Sequence, residues 1–338
     1  MKLVLDIYLF IASLCILAVG CTQVDKKDNS ASNDKNLPVD TSKISYDTAT
    51  IPPGPEREFI IYGRELFINT HVYLGPKGTV KQITGNEMDC KNCHMENGTK
   101  PFGQPLVTVS GRYPQYRARE ATILTIQDRV NNCLERPLLG KSLEFDSREM
   151  KAFAMYFKWI WDKNNNVMKI TGDIPNTLPW MDRKADWKQG KIDYETFCAR
   201  CHGIHGQGIK TPSGYGYTYP PVWGKYSYAM GSSMHRIGKL AAFIHNNMPF
   251  DMDVTHIRIT HEQAYDIAAY INNEDVNPRP DFHEEEILYP RIQDKSTDYP
   301  IGPYADTFTQ DQHKYGPYKP IDAYWKGRKN SPSLPFAP

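Results

Sequence analysis

The chain has almost no net charge: 40 lysines and arginines stand against 39 acids in 338 residues, a formal net charge of +1. Such a balance gives no global field to draw in nucleic acid or a charged membrane surface. The chain also lacks an even set of cysteines. Of its seven, Cys15 and Cys21 fall in an apolar N-terminal segment, which leaves five, an odd number for a disulfide framework. A third lack is local, since no methionine occurs between Met95 and Met150. Aromatic residues, by contrast, make up 12% of the chain, alongside 25 prolines. That composition suits compact domains with much non-repetitive chain rather than disorder, and the length suits about two domains.

The N-terminus, MKLVLDIYLFIASLCILAVGC, places one lysine before an apolar run that ends in small residues, the pattern of a secretory signal. The run stops at Ala18-Val19-Gly20-Cys21, which resembles the lipobox of bacterial lipoproteins, with alanine where leucine is usual. Residues 1–21 are therefore expected to be a lipoprotein signal segment, with Cys21 lipidated at the start of the mature chain. An uncleaved transmembrane anchor is the alternative. Either way the functional part faces the periplasmic side of a bacterial membrane. Residues 22–55 are polar, lack helical periodicity and read as a flexible tether.

Four of the five remaining cysteines form two identical patterns. Cys90-Lys91-Asn92-Cys93-His94 is one CxxCH, and Cys198-Ala199-Arg200-Cys201-His202 is the other. Two thiols at this spacing add to the two vinyl groups of one haem, and the following histidine gives iron its proximal imidazole. A zinc site needs two CxxC pairs much closer together. Two covalent haem c groups follow, with Cys90, Cys93, Cys198 and Cys201 as attachment points and His94 and His202 as iron ligands.

The surroundings of the two motifs repeat. Gly63 to Phe67 precedes the first within EREFIIYGRELFINTH; Gly190 to Tyr194 precedes the second within DWKQGKIDYETF. REMKAFAMYFKWI follows one and EQAYDIAAYINN the other, both with apolar positions three and four apart, as in amphipathic helices. Each half runs helix, haem motif, loop, helix, and so resembles a class I cytochrome c domain. The expected fold is all-α: two class I cytochrome c-like domains in tandem at 56–165 and 186–277, joined by a linker at 166–185. An irregular tail, 278–338, is expected to wrap across both.

In class I cytochromes the sixth iron ligand is usually a methionine in the loop before the last helix. In the second half that points to Met248, in NNMPF, 22 residues before Tyr270; Met230, Met234 and Met252 are rivals. The same interval in the first half, 23 residues before Tyr156, falls on Cys133. A thiolate there would lower the potential of that haem relative to methionine; the alternative is a buried structural thiol. Between Arg112 and Lys141, six basic residues (Arg112, Arg117, Arg119, Arg129, Arg136, Lys141) face three acids (Glu120, Asp128, Glu135). Arginines lower a thiol's pKa and grip small oxyanions with forked hydrogen bonds. The alternative for these arginines is a solvated basic face, with haem propionates as partners of one or two of them; a haem-bound cysteine among arginines nonetheless suggests an anionic, sulfur-reactive substrate.

With these features the chain resembles the dihaem thiosulfate dehydrogenases, also called tetrathionate reductases, along most of the mature sequence. The likeness rests on GRYPQYRARE, RVNNCLER, NNMPF and IGPYADTFTQDQHKYGP. It implies an oxidoreductase that interconverts thiosulfate and tetrathionate at a His/Cys-ligated haem, with electrons relayed through a His/Met haem to a redox partner cytochrome or a membrane quinol-linked complex. It also implies that Cys133 is the catalytic thiolate, leaving iron to carry a sulfur adduct, and that Arg119 and Arg129 bind the anion. Three positions depart from the family pattern: Pro137 stands where the family often has a serine, Lys141 where some members have a glutamine, and Asn247 where some members carry a lysine that can exchange as ligand. The alternatives are a membrane-tethered dihaem electron carrier without catalytic activity and a dihaem peroxidase with His71 as its distal group. His313 is not expected to be a ligand.

Overall fold

The structure, a computed structural model, describes residues 46–173, 178–250, 259–281 and 288–328. The expected signal segment, Cys21, the tether as far as residue 45, and Met252 lie outside the described residues. Among the described residues no helix is long and apolar enough to cross a membrane.

Among the described residues the chain is mainly helical, with two short two-stranded sheets. The first half contains α1 (Pro55–Ile68), α2 (Ile126–Glu135) and α3 (Arg148–Lys163). The second contains α4 (Trp187–Phe197), α5 (Ala199–His202), α6 (Ile237–Asn247) and α7 (His261–Ile271). Each start has a local cause. Pro55 begins α1 with Glu56 and Glu58 in its first turn, near the positive end of the helix. Ser147 caps α3 through Met150 N, and Asp186 caps α4 through Lys188 N and Gln189 N. Thr125 with Asp128 and Thr260 with Gln263 form capping boxes on α2 and α7.

In each half the first and last helices cross where a glycine lets the backbones meet. A Cβ on Gly63 would lie 2.0 Å from Ala152 O, and one on Gly190 would lie 1.8 Å from Asp266 O. Beside each crossing an aromatic pair packs at the same separation. Phe67 and Tyr156 have centroids 5.6 Å apart, as do Tyr194 and Tyr270. One tyrosine of each half then reaches the segment after its CxxCH: Tyr156 OH donates to Asn97 O at 2.6 Å, Tyr194 OH to Gly203 O at 2.8 Å. The repeat seen in the sequence is thus a repeat of packing.

The halves share one hydrophobic core. After the sheet of β1 (Gln115–Arg117) and β2 (Thr122–Leu124), a shorter hairpin of β3 (Ile209–Lys210) and β4 (Tyr217–Tyr219) fastens the second half to the first. From its tip Tyr215 OH donates to His71 O at 2.9 Å, while Lys210 pairs with Glu87 at 2.7 Å. Residues 46–55, expected as the end of the tether, lie on the first half: Ile51 is buried, and Tyr46 OH accepts from Asn164 Nδ2 at 2.7 Å. The tail is mostly irregular but holds two short helices, α8 (Gln310–Tyr315) and α9 (Lys319–Trp325). It touches both halves, through Tyr289 N to Arg119 O (2.6 Å) and Arg236 Nε to Asp298 (2.8 Å), and also the linker, through Ala185 N to Tyr315 O (2.8 Å).

Candidate active site

One cavity gathers most of the residues expected at the first haem. Cys90, Cys93, His94, Arg129 and Cys133 all line it, with Phe67, Leu106, Val109, Val130, Leu134 and Phe157 among its apolar walls. It encloses about 960 Å³ of empty space, its open mouth included, at the upper end of the range for small-molecule sites. Its size, its apolar lining and the two thiols beside an imidazole fit a haem c.

His94 Nδ1 lies 2.6 Å from Gln104 O. A carbonyl only accepts, so Nδ1 carries the proton and Nε2 keeps a free lone pair for a metal. His202 is held the same way, 2.8 Å from Pro220 O, and burial lowers its pKa, which keeps it neutral. Cys198, Cys201 and His202 lie at the end of α4 and on α5, and Met248 follows α6 directly. Asn247 turns away from any ligand role: its Nδ2 donates to Phe102 O and Phe243 O, both at 3.0 Å. Of the rival methionines, Met234 belongs to the first cavity, where its Sδ accepts from Gln104 Nε2 at 3.5 Å.

Cys133 differs from the attachment cysteines electrostatically. Burial pushes the thiols of Cys90 and Cys93 up to about 12. At Cys133 burial also acts upward, but the Arg129 guanidinium, the His94 imidazole and Arg136 outweigh it and bring the thiol down to about 6. Helix geometry explains this. Arg129 precedes Cys133 by four residues on α2, which puts both on one face. Cys133 can therefore carry its negative charge at neutral pH, as a nucleophile or metal ligand must.

The basic residues of this region divide into two groups. Arg112 pairs with Asp173 at 3.5 Å and Arg136 with Glu120 at 3.3 Å. Arg119 and Arg129, among the described residues, make no ion pair. Arg119 is not among the residues that line the cavity, but it lies close enough to Arg129 for the two charges to repel. Pro137 lines the cavity, whereas Lys141 is exposed. His71 is not among the lining residues. Its Nδ1 lies 2.7 Å from Asp89 and its ring packs on Tyr215, which leaves it no place as a distal group. His313 stacks on Tyr304 at 3.7 Å and lies 3.0 Å from Asp306 inside the tail. Sequence reasoning missed that Tyr228, Ser232, Ser233 and Met234 of the second half close the first cavity. No local pattern signals a contact between halves.

Two helical domains, each built on a glycine crossing and a CxxCH with a pinned histidine, define a dihaem c-type cytochrome. Residues 187–275 match the family described as cytochrome c, and residues 81–159 match the SoxA/TsdA cytochrome c domain. The chain is 31% identical over 248 residues to a thiosulfate dehydrogenase of Stutzerimonas stutzeri, covering 73% of this chain and 77% of that one. It is 32% identical over 240 residues to one of Allochromatium vinosum, covering 70% and 84%. Among solved structures it is similar to the "as isolated" form of thiosulfate dehydrogenase (TsdBA) from Marichromatium purpuratum, with a TM-score of 0.62 and 28% identity. That match covers 68% of this chain and 48% of the other, so the chain spans about half of that solved protein's length. The chain belongs to the dihaem thiosulfate dehydrogenase family. It is an oxidoreductase and carries two covalent haem c groups.

Proposed function

We propose that the protein interconverts thiosulfate and tetrathionate at the site around Cys133. The observation that carries this reading is a thiol brought down to about 6 in a cavity wall, with Arg129, which makes no ion pair among the described residues, one helical turn away in the same wall. A cysteine that only ligated iron would also be held as a thiolate; a forked cation in the cavity wall beside it adds a grip for an anionic substrate.

In the reductive direction the Cys133 thiolate attacks a central sulfur of tetrathionate. The sulfur–sulfur bond breaks, one thiosulfate leaves, and the other half stays on Cys133 as a thiosulfonate. Two electrons then cleave that disulfide-like bond, returning the thiolate and releasing the second thiosulfate. Oxidation of two thiosulfates is the same sequence reversed. Arg129 and Arg119 hold the sulfonate charges and orient the sulfur chain. Cys90, Cys93, His94 and Cys133 would hold the first haem; Cys198, Cys201, His202 and Met248 would hold the second. Bound there, the haems take up and deliver the two electrons, the thiolate ligand favouring a lower potential than methionine. A redox partner, either a cytochrome or a membrane quinol-linked complex, supplies those two electrons in the reductive direction and accepts them in the oxidative one. The sequence of residues 1–21 supports export and a lipid anchor at Cys21, on the periplasmic side.

The test is a steady-state assay of the two-haem protein with thiosulfate plus ferricyanide, and with tetrathionate plus a reduced viologen. Cys133→Ala, loaded with both haems, is run beside it. Activity in either direction that disappears in the variant is the expected result. No turnover in either assay by a redox-competent protein would leave the electron-carrier reading. A Soret change with peroxide and none with tetrathionate would point to a peroxidase.

A further inference from the structure

Arg119 is held in an unusual way for a buried-side cation. Its guanidinium carbon lies 5.8 Å from the ring centre of Tyr289 and 5.6 Å from that of Tyr299. Its carbonyl accepts from Tyr289 N at 2.6 Å. The two rings meet edge to face at 4.7 Å and, with Leu288, form a small apolar cluster against Ala118. Tyr289 adopts φ of +55°, a conformation that side-chain-bearing residues hold only where the surroundings impose it. One residue before Tyr299, Asp298 is buried and grips the second half, taking Arg236 Nε at 2.8 Å and Gly238 N at 3.2 Å. That point lies just beyond Ser232–Met234, which line the cavity.

We propose that Tyr289 and Tyr299 are positioning residues for the anion site, a tail-borne aromatic clamp that aims Arg119 while leaving its charge unspent. The physical reason is the difference between two ways of fixing a cation. A carboxylate, as at Arg112 and Arg136, fixes an arginine by cancelling its charge and occupying its donors. An aromatic face attracts the cation through its quadrupole but adds no negative charge and takes up none of the in-plane N–H donors. An arginine meant to receive a sulfonate needs the second kind of support. The inference rests on the function proposed above and adds to it the residues that set affinity for the anion.

The experiment uses the full two-haem protein. Tyr289→Leu and Tyr299→Leu are made separately, each beside its Phe counterpart and each also in an Arg119→Met background. Steady-state kinetics with thiosulfate are combined with thiosulfate titrations followed by haem absorption. The Leu variants are expected to bind thiosulfate about five- to tenfold more weakly, in KM rather than in kcat, the size expected for loss of a water-shielded cation–π contact. The Phe variants keep wild-type affinity, and the Leu penalty vanishes without Arg119, because effects transmitted through one residue are not additive. If one Leu variant does not fold, the other decides. Thiosulfate affinity equal to wild type in a folded Leu variant, or a penalty that persists without Arg119, would overturn the clamp. A wild-type protein indifferent to thiosulfate and tetrathionate would overturn the functional reading instead.

Discussion

Arg129 stands one helical turn before Cys133, and the two side chains share one wall of the first cavity. The thiol's low pKa and the arginine's lack of a carboxylate partner are two sides of one arrangement: Cys133 is the first cause of the raised Arg129 pKa, and Arg129 is the leading charge that lowers Cys133. Arg129→Gln should therefore lower kcat/KM for tetrathionate roughly a hundredfold, about 3 kcal/mol, the scale of stranding a buried anion without its charged donor. Arg129→Lys should recover only part, since an ammonium cannot reproduce the fork. Kinetics of the two variants side by side check this, and equal activity in both would refute a geometric role for the guanidinium.

At the second site, Met248→Leu should lower one of two midpoint potentials in a redox titration and leave the other near its wild-type value, because methionine ligation raises a haem's potential. Movement of both midpoints, or of neither, would remove Met248 from the iron.

The glycine crossings predict stability effects that are independent of the chemistry. With a carbonyl 2.0 Å from the new Cβ, Gly63→Ala should destabilise the fold by about 3 kcal/mol, the upper part of the usual overpacking range. For a domain of this size that is a fall of roughly 6–12 °C in Tm. Gly190→Ala should behave alike, its Cβ lying 1.8 Å from Asp266 O. Differential scanning calorimetry on both variants measures it; unchanged melting would mean that the helices can separate without loss.

Glu274 predicts an acid-sensitive contact between the second half and the tail. Burial acts to raise its pKa, but His235, 2.6 Å away, and Lys314 outweigh burial and hold the carboxyl at about 2, against an ordinary 4.5. A carboxylate depressed in the folded state adds stability that is complete above its unfolded pKa and lost as pH falls through the folded one. Up to about 3 kcal/mol should therefore disappear between pH 4.5 and 2. Melting curves across that window should be flatter for Glu274→Gln than for wild type. Parallel curves would show that the carboxylate contributes nothing.

Much of this architecture was legible in local pattern. The CxxCH motifs are contiguous and chemically unambiguous, and helical spacing exposed the four crossing helices because their buried faces repeat within a few residues. Measuring from Tyr156 led to Cys133, which the structure sets in the wall of the first cavity, and both halves pack the same way around Phe67–Tyr156 and Tyr194–Tyr270. The division of the arginines was not legible. Whether Arg112 or Arg119 meets a carboxylate depends on Asp173 and on tyrosines far along the chain, and composition counts charges without pairing them. The place of Met234 in the first cavity was hidden for the same reason, since it is set by the packing of one half on the other. The tail gave no periodicity because its residues serve separate long-range contacts rather than one helical face.

The contact of Tyr289 with Arg119 joins residues 170 positions apart, so it bears on the order in which the molecule is made. Contacts of such wide separation close a long loop of chain and form late, after the local helices and their crossings. Both CxxCH motifs precede residue 289, so the chain that could receive both haems is already complete before the tail is in place. The electron-carrying parts can thus assemble first, with Arg119 fixed only when the C-terminal segment folds down over them.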